Sequence, residues 1–157
     1  MLDITNELRD VTSSLSANGI DYALCGGLAM SVFSRPRSTI DIDLLIRAES
    51  LEEVLAIATT MGYNLRGKEL SFAKGAIEIR RVSKIDSSDG DLLSLDLLLV
   101  TPAIRSVWES RIDAEWEMGQ LSVVSPKGLI ALKRLRNSGQ DQDDIRALLE
   151  EFPDAED

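Results

Sequence analysis

The stretch LLSLDLLLV, residues 92–100, constrains the fold more than any other part of the chain. Its residues are apolar at both alternating sets of positions, apart from Ser94 and Asp96, so a strand here must be covered on both faces. Helical patterns and shorter apolar runs stand on either side of it. Their order predicts an α/β (α+β) fold, with a mixed β-sheet flanked by helices and a C-terminal helical pair.

Periodicity and turn residues predict the other elements. Helices are expected at 3–17, 27–34 and about 51–61, the last with a Ser50–Glu53 capping box. Strands are expected at 21–26, 38–46 and 121–124, and two short ones should turn at Lys74-Gly75. Residues 103–118 are ambiguous, helical in part, with Trp108 and Trp116 as anchors. A helix begins at Ser125-Pro126, and a closing helix carries Asp141, Ile145 and Phe152.

Composition narrows the chemistry. The 157 residues favour one domain, and they include a single cysteine and no histidine. Histidine-based triads, histidine metal sites and a cysteine zinc site are therefore excluded, and catalysis must use carboxylates, Lys, Arg, hydroxyls or a bound metal. The formal charge of −10 argues against broad nucleic-acid binding and suits a cationic acceptor or a basic protein partner. Alternatively, this negative charge does no more than keep the protein soluble.

Asp41 and Asp43 are two residues apart in the predicted strand STIDIDLLI, residues 38–46. Alternate residues of a strand share a face, so both carboxylates lie on one side, about 7 Å apart. Like charges at that spacing repel unless a cation lies between them. Carboxylate oxygens are the ligands that Mg²⁺ prefers, so the pattern is typical of a magnesium–nucleotide site. A solvated edge strand would carry the same pattern without a ligand.

A two-metal site needs a third carboxylate as well. Asp96 is the best candidate, because it is the lone acid in a strand that should be buried, where an unpaired charge costs several kcal/mol. We expect it to join Asp41 and Asp43 if the two strands pair. Glu78 competes for this role, although Arg80 on the same strand face offers it an ordinary ion pair.

Gly26 and Gly27 stand between a predicted strand and a predicted helix start. Glycine allows a phosphate to approach the backbone, and the first N–H groups of a helix bind anions. A tight turn without a ligand is the simpler interpretation of two adjacent glycines. Arg35 and Arg37 could neutralise a triphosphate or pair with local acids.

Together, CGG at residues 25–27, DIDL at 41–44 and the later Asp96 resemble the DNA polymerase β-like nucleotidyltransferase superfamily. The segments GGLAM, RSTIDIDLL and SPKGLIALKRLRNSGQDQDDIRALL look more narrowly like AbiEii-type bacterial nucleotidyltransferases, many of them toxin–antitoxin components. The resemblance covers about residues 20–150. It implies a single nucleotidyltransferase domain over 1–157, with a catalytic core at about 20–124 and C-terminal helices at about 125–152.

The resemblance also implies roles for individual residues. Asp41, Asp43 and Asp96 would hold two Mg²⁺ ions, and Asp96 would receive or orient the attacking hydroxyl. The nucleoside triphosphate, such as ATP, would be bound by residues matching the phosphate-cradling turn, the lead-in to the first acids and a helix lysine: Gly26, Gly27, Arg37, Thr39 and Lys133. Asp141 and Asp144 match an acidic pair whose role is left open.

Two positions depart from the family pattern. Gly27 replaces a serine that contacts phosphate in many relatives, so Ser31 or the backbone would take over that contact. Gln140 stands where many AbiEii-like sequences have a basic residue, which leaves the role of the final helix open.

Three functions fit this pattern. The first is transfer of a nucleoside monophosphate to a hydroxyl on a protein, a tRNA or a small molecule. The second is a variant of this reaction in which the acceptor is an aminoglycoside or lincosamide antibiotic. The third is a catalytically silent regulatory or antitoxin partner. A glycosyltransferase needs a larger domain, and a haloacid-type phosphatase needs a Thr or Val where Leu45 stands. No membrane partner is expected, the location is expected to be cytoplasmic, and a protein partner or a homodimer remains open.

Overall fold

The structure is a computed structural model that describes residues 3–34, 41–116 and 119–156. It contains six α-helices and seven strands within those ranges. The helices are α1 (Ile4–Ala17), α2 (Gly26–Phe33), α3 (Leu51–Thr60), α4 (Arg105–Glu109), α5 (Pro126–Arg136) and α6 (Gly139–Glu151). The strands are β1 (Ala23–Cys25), β2 (Asp41–Arg47), β3 (Leu65–Phe72), β4 (Ile77–Ile85), β5 (Leu92–Val100), β6 (Ile112–Trp116) and β7 (Gly119–Val123).

All seven strands form one mixed sheet in the order β3-β4-β5-β2-β1-β7-β6. The pairs β2–β5 and β1–β7 are parallel, and the other neighbours are antiparallel. Strand β5 lies inside the sheet between β4 and β2, and residues 93–99 are all buried. The predicted mixed sheet with flanking helices and a C-terminal helical pair is confirmed.

Helix starts follow their sequence signals in most places. Asp3 caps α1, the Ser125 hydroxyl accepts the Gly128 N–H at the start of α5, and Ser138 forms a capping box with Asp141 on α6. The capping box predicted at Ser50 is wrong. Ser50 ends a short 3₁₀ turn with helical dihedrals (φ −87°, ψ −8°), and its side chain makes no capping bond.

The sheet edges differ most from the prediction. The hairpin of β3 and β4 is longer than the two short strands expected, and β6 replaces part of the ambiguous segment at 103–118. Nearly every residue of β3 is exposed, so this edge strand lacks the apolar alternation that marks a half-buried strand. Trp108 is buried, with the Arg111 guanidinium 4.0 Å from its ring centre, and Trp116 is half-buried.

Apolar side chains from both faces of the sheet form a continuous core with α1, α3, α5 and α6. None of the helices in the described ranges has the length and apolar character needed to cross a lipid bilayer.

Two glycines of the C-terminal helices provide a matched test of this packing. A Cβ added to Gly128 would lie 2.7 Å from Cγ1 of Val124 and 3.1 Å from Cγ1 of Val107, whereas one added to Gly139 would meet no atom within 4 Å. We expect Gly128→Ala to lower the free energy of unfolding, because overpacking costs about 1–3 kcal/mol and helix propensity returns about 1 kcal/mol. Gly139→Ala should leave it unchanged or raise it by up to about 1 kcal/mol.

Urea unfolding of the two variants beside the parent chain measures the difference. Equal midpoints for Gly128→Ala and Gly139→Ala would show that the junction of β7 and α5 has room that the structure does not give it.

Candidate active site

Strand register brings the predicted acids together on one face of the sheet. Asp43 of β2 is the direct partner of Asp96 of β5, and Asp41 lies on the same face two residues before Asp43. Neighbouring strands are about 4.8 Å apart, so the carboxylates of Asp43 and Asp96 are adjacent across the sheet. Asp96 is 5% exposed, and the other two are partly buried. The structure therefore brings all three predicted acids to one place.

Arg81 borders these three acids, Asp41, Asp43 and Asp96, which we call the acid row. The sequence analysis did not identify this arginine. It faces Asp96 from β4, with Nε donating to Oδ1 at 2.7 Å and Nη2 donating to Oδ2 at 2.8 Å. Its Nη2 is also 3.9 Å from Oδ2 of Asp41. The signal was present, because Arg81 shares its alternating set with the apolar Ile77 and Ile79. A charge on that set predicts a partner on the adjacent buried strand.

The acid row has more negative charge than Arg81 offsets. Burial, followed by the charges of Asp96 and Asp41, raises the pKa of Asp43 to about 7. Burial and the charge of Asp96 also raise the pKa of Asp41. The hydrogen bonds that Arg81 donates to Asp96 raise the pKa of the Arg81 guanidinium. Both raised carboxyl pKa values mean that added positive charge would be strongly favoured here.

The donor set suits a hard divalent cation, although not without adjustment. All three donors are carboxylate oxygens, which Mg²⁺ prefers. As the side chains stand, no group of three or more acids or cysteines among the residues described is arranged to hold an ion. One reason is visible at Asp96, whose two oxygens both accept from Arg81. The three carboxylates therefore suit a divalent cation by their chemistry, and Asp96 would have to turn one oxygen away from Arg81 to bind it.

Glu78, the competing third acid, lies on the opposite face of the sheet. It pairs in register with Leu99, three positions along the ladder from the Arg81–Asp96 pair, and an odd separation places it on the other face. Its Oε1 is 3.9 Å from the Arg80 guanidinium, which also contacts Glu69 at 3.3 Å. The ordinary ion pair is thus what the structure shows for Glu78.

Gly26 contacts the acid row directly. It has φ +69° at the junction of β1 and α2, and an added Cβ would lie 2.6 Å from Cγ and 2.8 Å from Cβ of Asp43. Close packing against Asp43 and a left-handed backbone are therefore enough to require glycine. Gly27 lies in the first turn of α2, and the hydroxyl of Ser31, one turn later, donates to the Gly27 carbonyl at 3.4 Å.

Lys133 is buried, not on the surface. Its Nζ donates to Oδ2 of Asp144 at 2.8 Å and lies 3.8 Å from Oδ1 of Asp141. Gln140 donates to the second oxygen of Asp144 at 3.0 Å. The two acids of α6, whose role the sequence left open, thus hold the lysine of α5, and Gln140 supports them.

Arg136 extends this network toward the acid row. It donates to both oxygens of Asp141, at 3.0 and 2.9 Å, while its side chain remains 47% exposed. Burial alone would raise the pKa of Asp141, but hydrogen bonds from Arg136 and Ser138 outweigh it and lower the pKa to about 2. The hydrogen bonds to Asp141, and after them the negative charges of Asp141 and Asp43, raise the pKa of Arg136.

A cavity of about 220 Å³ lies between the acid face of the sheet and α5. Its polar wall is formed by Asp43, Asp96, Arg81, Lys133, Arg136 and Asp141. Its apolar wall is formed by β3, β4, β5 and α5, through Leu70, Phe72, Ile77, Ile79, Leu98, Leu129 and Leu132. A larger polar cavity of about 500 Å³, beside β1 and β7, contains none of the predicted site residues. We therefore place the candidate site in the smaller cavity.

The remaining predicted site residues, Arg37 and Thr39, lie outside the described residues, as does Arg35.

The profile of one protein family, described as "Nucleotidyl transferase AbiEii toxin, Type IV TA system", matches residues 9–155. A search of curated protein sequences gave no match.

Solved structures of nucleotidyltransferases resemble the chain in fold at low sequence identity. The protein TM1012 of Thermotoga maritima, described as a nucleotidyltransferase, aligns with a TM-score of 0.64 at 15% identity, covering 94% of this chain and 93% of its own. The structure of ANT(2")-Ia in complex with adenylyl-2"-tobramycin aligns with a TM-score of 0.67 at 14% identity, covering 96% of this chain and 91% of its own. The lincomycin-bound lincosamide adenylyltransferase LnuA aligns with a TM-score of 0.58 at 16% identity, covering 91% of this chain and 94% of its own.

These solved structures share the fold of this chain. The match spans nearly the whole chain, and the chain belongs to the AbiEii family of nucleotidyltransferases.

Proposed function

We propose that this chain moves a nucleoside monophosphate from a magnesium-bound nucleoside triphosphate, such as ATP, to a hydroxyl group of an acceptor. The observation that carries the proposal is the pairing of Asp43 with Asp96 on adjacent parallel strands, with Asp41 on the same face. Family membership supports the reaction class. In this proposal residues 20–124 form the catalytic core, and the helices of 125–152 form one wall of the cleft.

Asp41, Asp43 and Asp96 would hold two Mg²⁺ ions, which supply positive charge to the triphosphate and to its leaving oxygen. Asp96 would orient the acceptor hydroxyl and receive its proton. The hydroxyl oxygen forms a bond to the α-phosphorus, and the bond from that phosphorus to the bridging oxygen breaks. Pyrophosphate then leaves with the electron pair of the broken bond.

Phosphate contacts would come from two sides of the cleft. The N–H groups at the start of α2, with Gly27 and Ser31, form one side, and Arg37 and Thr39 belong to the same proposed set. Arg136 forms the other side, because its guanidinium is about half exposed at the cavity. Lys133 would contribute its charge from behind Asp141 and Asp144, to which it is bound.

The first test is calorimetric titration of the purified protein with a non-hydrolysable triphosphate, with and without Mg²⁺. We expect binding only with Mg²⁺. Replacing a group that merely orients a metal ligand costs about 10- to 100-fold in metal affinity or activity, so Asp96→Asn should lower transfer of label from a triphosphate by at least about 100-fold.

Glu78→Gln is the matched control, since Glu78 is an acid of the adjacent strand on the opposite face. It should keep the parent activity. Triphosphate binding that ignores Mg²⁺, or equal losses in Asp96→Asn and Glu78→Gln, would contradict the proposed site and favour a catalytically silent partner.

The Asp43 carboxyl should also make stability depend on pH. Its pKa rises from 3.8 to about 7 on folding, so the folded chain binds the proton more tightly than the unfolded chain does. The resulting stabilisation is fully present below pH 3.8 and is lost as the pH rises through about 7. Added Mg²⁺ should then stabilise the protein most above pH 7, where Asp43 is charged.

Unfolding free energies of the parent chain and Asp43→Asn, measured from pH 5 to 8, isolate this contribution from other carboxyl groups. The difference between the two should shift in favour of the variant as the pH rises. Asp91→Asn, in the exposed loop before β5, controls for the loss of one charge. A difference that stays constant over this range would show that Asp43 is not perturbed.

A second candidate acceptor is a cationic aminoglycoside. The formal charge of −10 favours such an acceptor, and one structural neighbour was solved with adenylyl-2"-tobramycin. We expect the protein with Mg²⁺ and labelled ATP to label tobramycin more than lincomycin, which carries less positive charge. Equal labelling of both, or of neither, would contradict this acceptor.

The family description, a toxin of a type IV toxin–antitoxin system, supports a toxic role with a neutralising partner. Growth arrest on expression of the parent chain, relieved in Asp96→Asn, would support that role. Arrest by both proteins would mean that transfer is not its cause.

A further inference from the structure

The proposed reaction leaves Arg81 without a role, although it touches the acid row more closely than any other cation described. Its guanidinium makes a two-pronged contact with Asp96, at 2.7 and 2.8 Å, and approaches Asp41 at 3.9 Å. Its side chain is 39% exposed at the cavity, whereas that of Asp96 is 6% exposed. A partly exposed guanidinium bound to a buried carboxylate is therefore the arrangement to explain.

The edge of the sheet is shaped around the stem of Arg81. Strand β3 changes register between Arg66 and Glu69, and Gly67 lies in that irregularity. A Cβ added to Gly67 would lie 3.2 Å from both Cβ and Cγ of Arg81. The missing side chain thus makes room for the Arg81 stem, and the stem directs the guanidinium along the sheet toward Asp96.

The contact conflicts with the metal site. Both Asp96 oxygens accept from Arg81, so an ion that binds Asp96 must share or displace that contact. The guanidinium also repels a divalent cation placed a few ångströms away. In the absence of metal, however, removal of Arg81 would take from the buried Asp96 both hydrogen bonds that it accepts from the guanidinium and leave it beside the like charge of Asp43, which is strongly unfavourable.

We propose that Arg81 is a resident counter-cation: it holds Asp96 in place while no metal is bound, and it must release at least one Asp96 oxygen before the metal pair forms. Arg81 is then a positioning residue that sets how readily the site takes up metal. The proposal rests on the proposed function, since it requires that Asp96 bind metal.

The test compares Mn²⁺ binding, followed by the loss of the free-ion electron paramagnetic resonance signal, in the parent chain and Arg81→Met. Methionine retains much of the stem and removes the charge. Couplings between sites are commonly about 5- to 150-fold, so we expect the Mn²⁺ midpoint of Arg81→Met to be at least about fivefold lower than that of the parent. Without metal the variant should melt at a lower temperature, and Mg²⁺ should raise its melting temperature more than that of the parent.

Arg80→Met is the matched control, because Arg80 is the next residue of β4 and binds Glu69 and Glu78 on the opposite face. It should leave the Mn²⁺ midpoint unchanged. An equal or weaker Mn²⁺ affinity in Arg81→Met overturns the counter-cation role. An absence of Mn²⁺ binding by the parent chain overturns the proposed function instead.

If Arg81→Met does not fold, Arg81→Lys keeps the charge but cannot form the two-pronged contact. Its Mn²⁺ midpoint should then fall below that of the parent, because one Asp96 oxygen is freed. A midpoint equal to the parent's would overturn the proposal.

Discussion

Like-charge repulsion at one register position of the sheet governs the architecture of the site. Asp43 and Asp96 are adjacent on parallel strands, and burial raises the cost of their charges further. The surrounding sequence offsets that cost locally, through Arg81 beside Asp96 and through the charge of Arg136 on α5. A sheet built for stability alone would place apolar side chains here, so the persistent charge cost is a reason to assign function to this face.

The helical pair supports the site with a second set of buried charges. Lys133 and Arg136 of α5 are held by Asp144 and Asp141 of α6, and Asp141 also caps its own helix. Removing Lys133 would take from the buried Asp144 its 2.8 Å contact with a cation, which is costlier than losing a surface ion pair. The two helices are therefore fixed relative to each other, and Arg136 is presented to the cleft at a defined place.

Sequence patterns predicted the centre of the molecule better than its edges. The apolar run of β5 and the Asp-x-Asp of β2 fixed the central strands, because buried positions leave a clear signature. Strand β3 was predicted too short and β6 was not predicted, since an edge strand that faces solvent has no such pattern. Arg81 was missed because a charge acquires meaning only from its cross-strand partner, and register was not known. Lys133 was assigned to phosphate from resemblance, while its burial against Asp144 depends on how α5 and α6 dock.

The glycine at the end of β1 links backbone and chemistry in a way that sequences alone could reveal. Gly26 has no room for a side chain because the carboxylate of Asp43 occupies that space. Its backbone angle by itself would still admit an asparagine or aspartate, which tolerate left-handed conformations. A relative with a small residue at position 43 would have space for a side chain at position 26, so positions 26 and 43 should covary. A bulky residue aligned with Gly26 would indicate a relative that has lost the acid row and retained the fold.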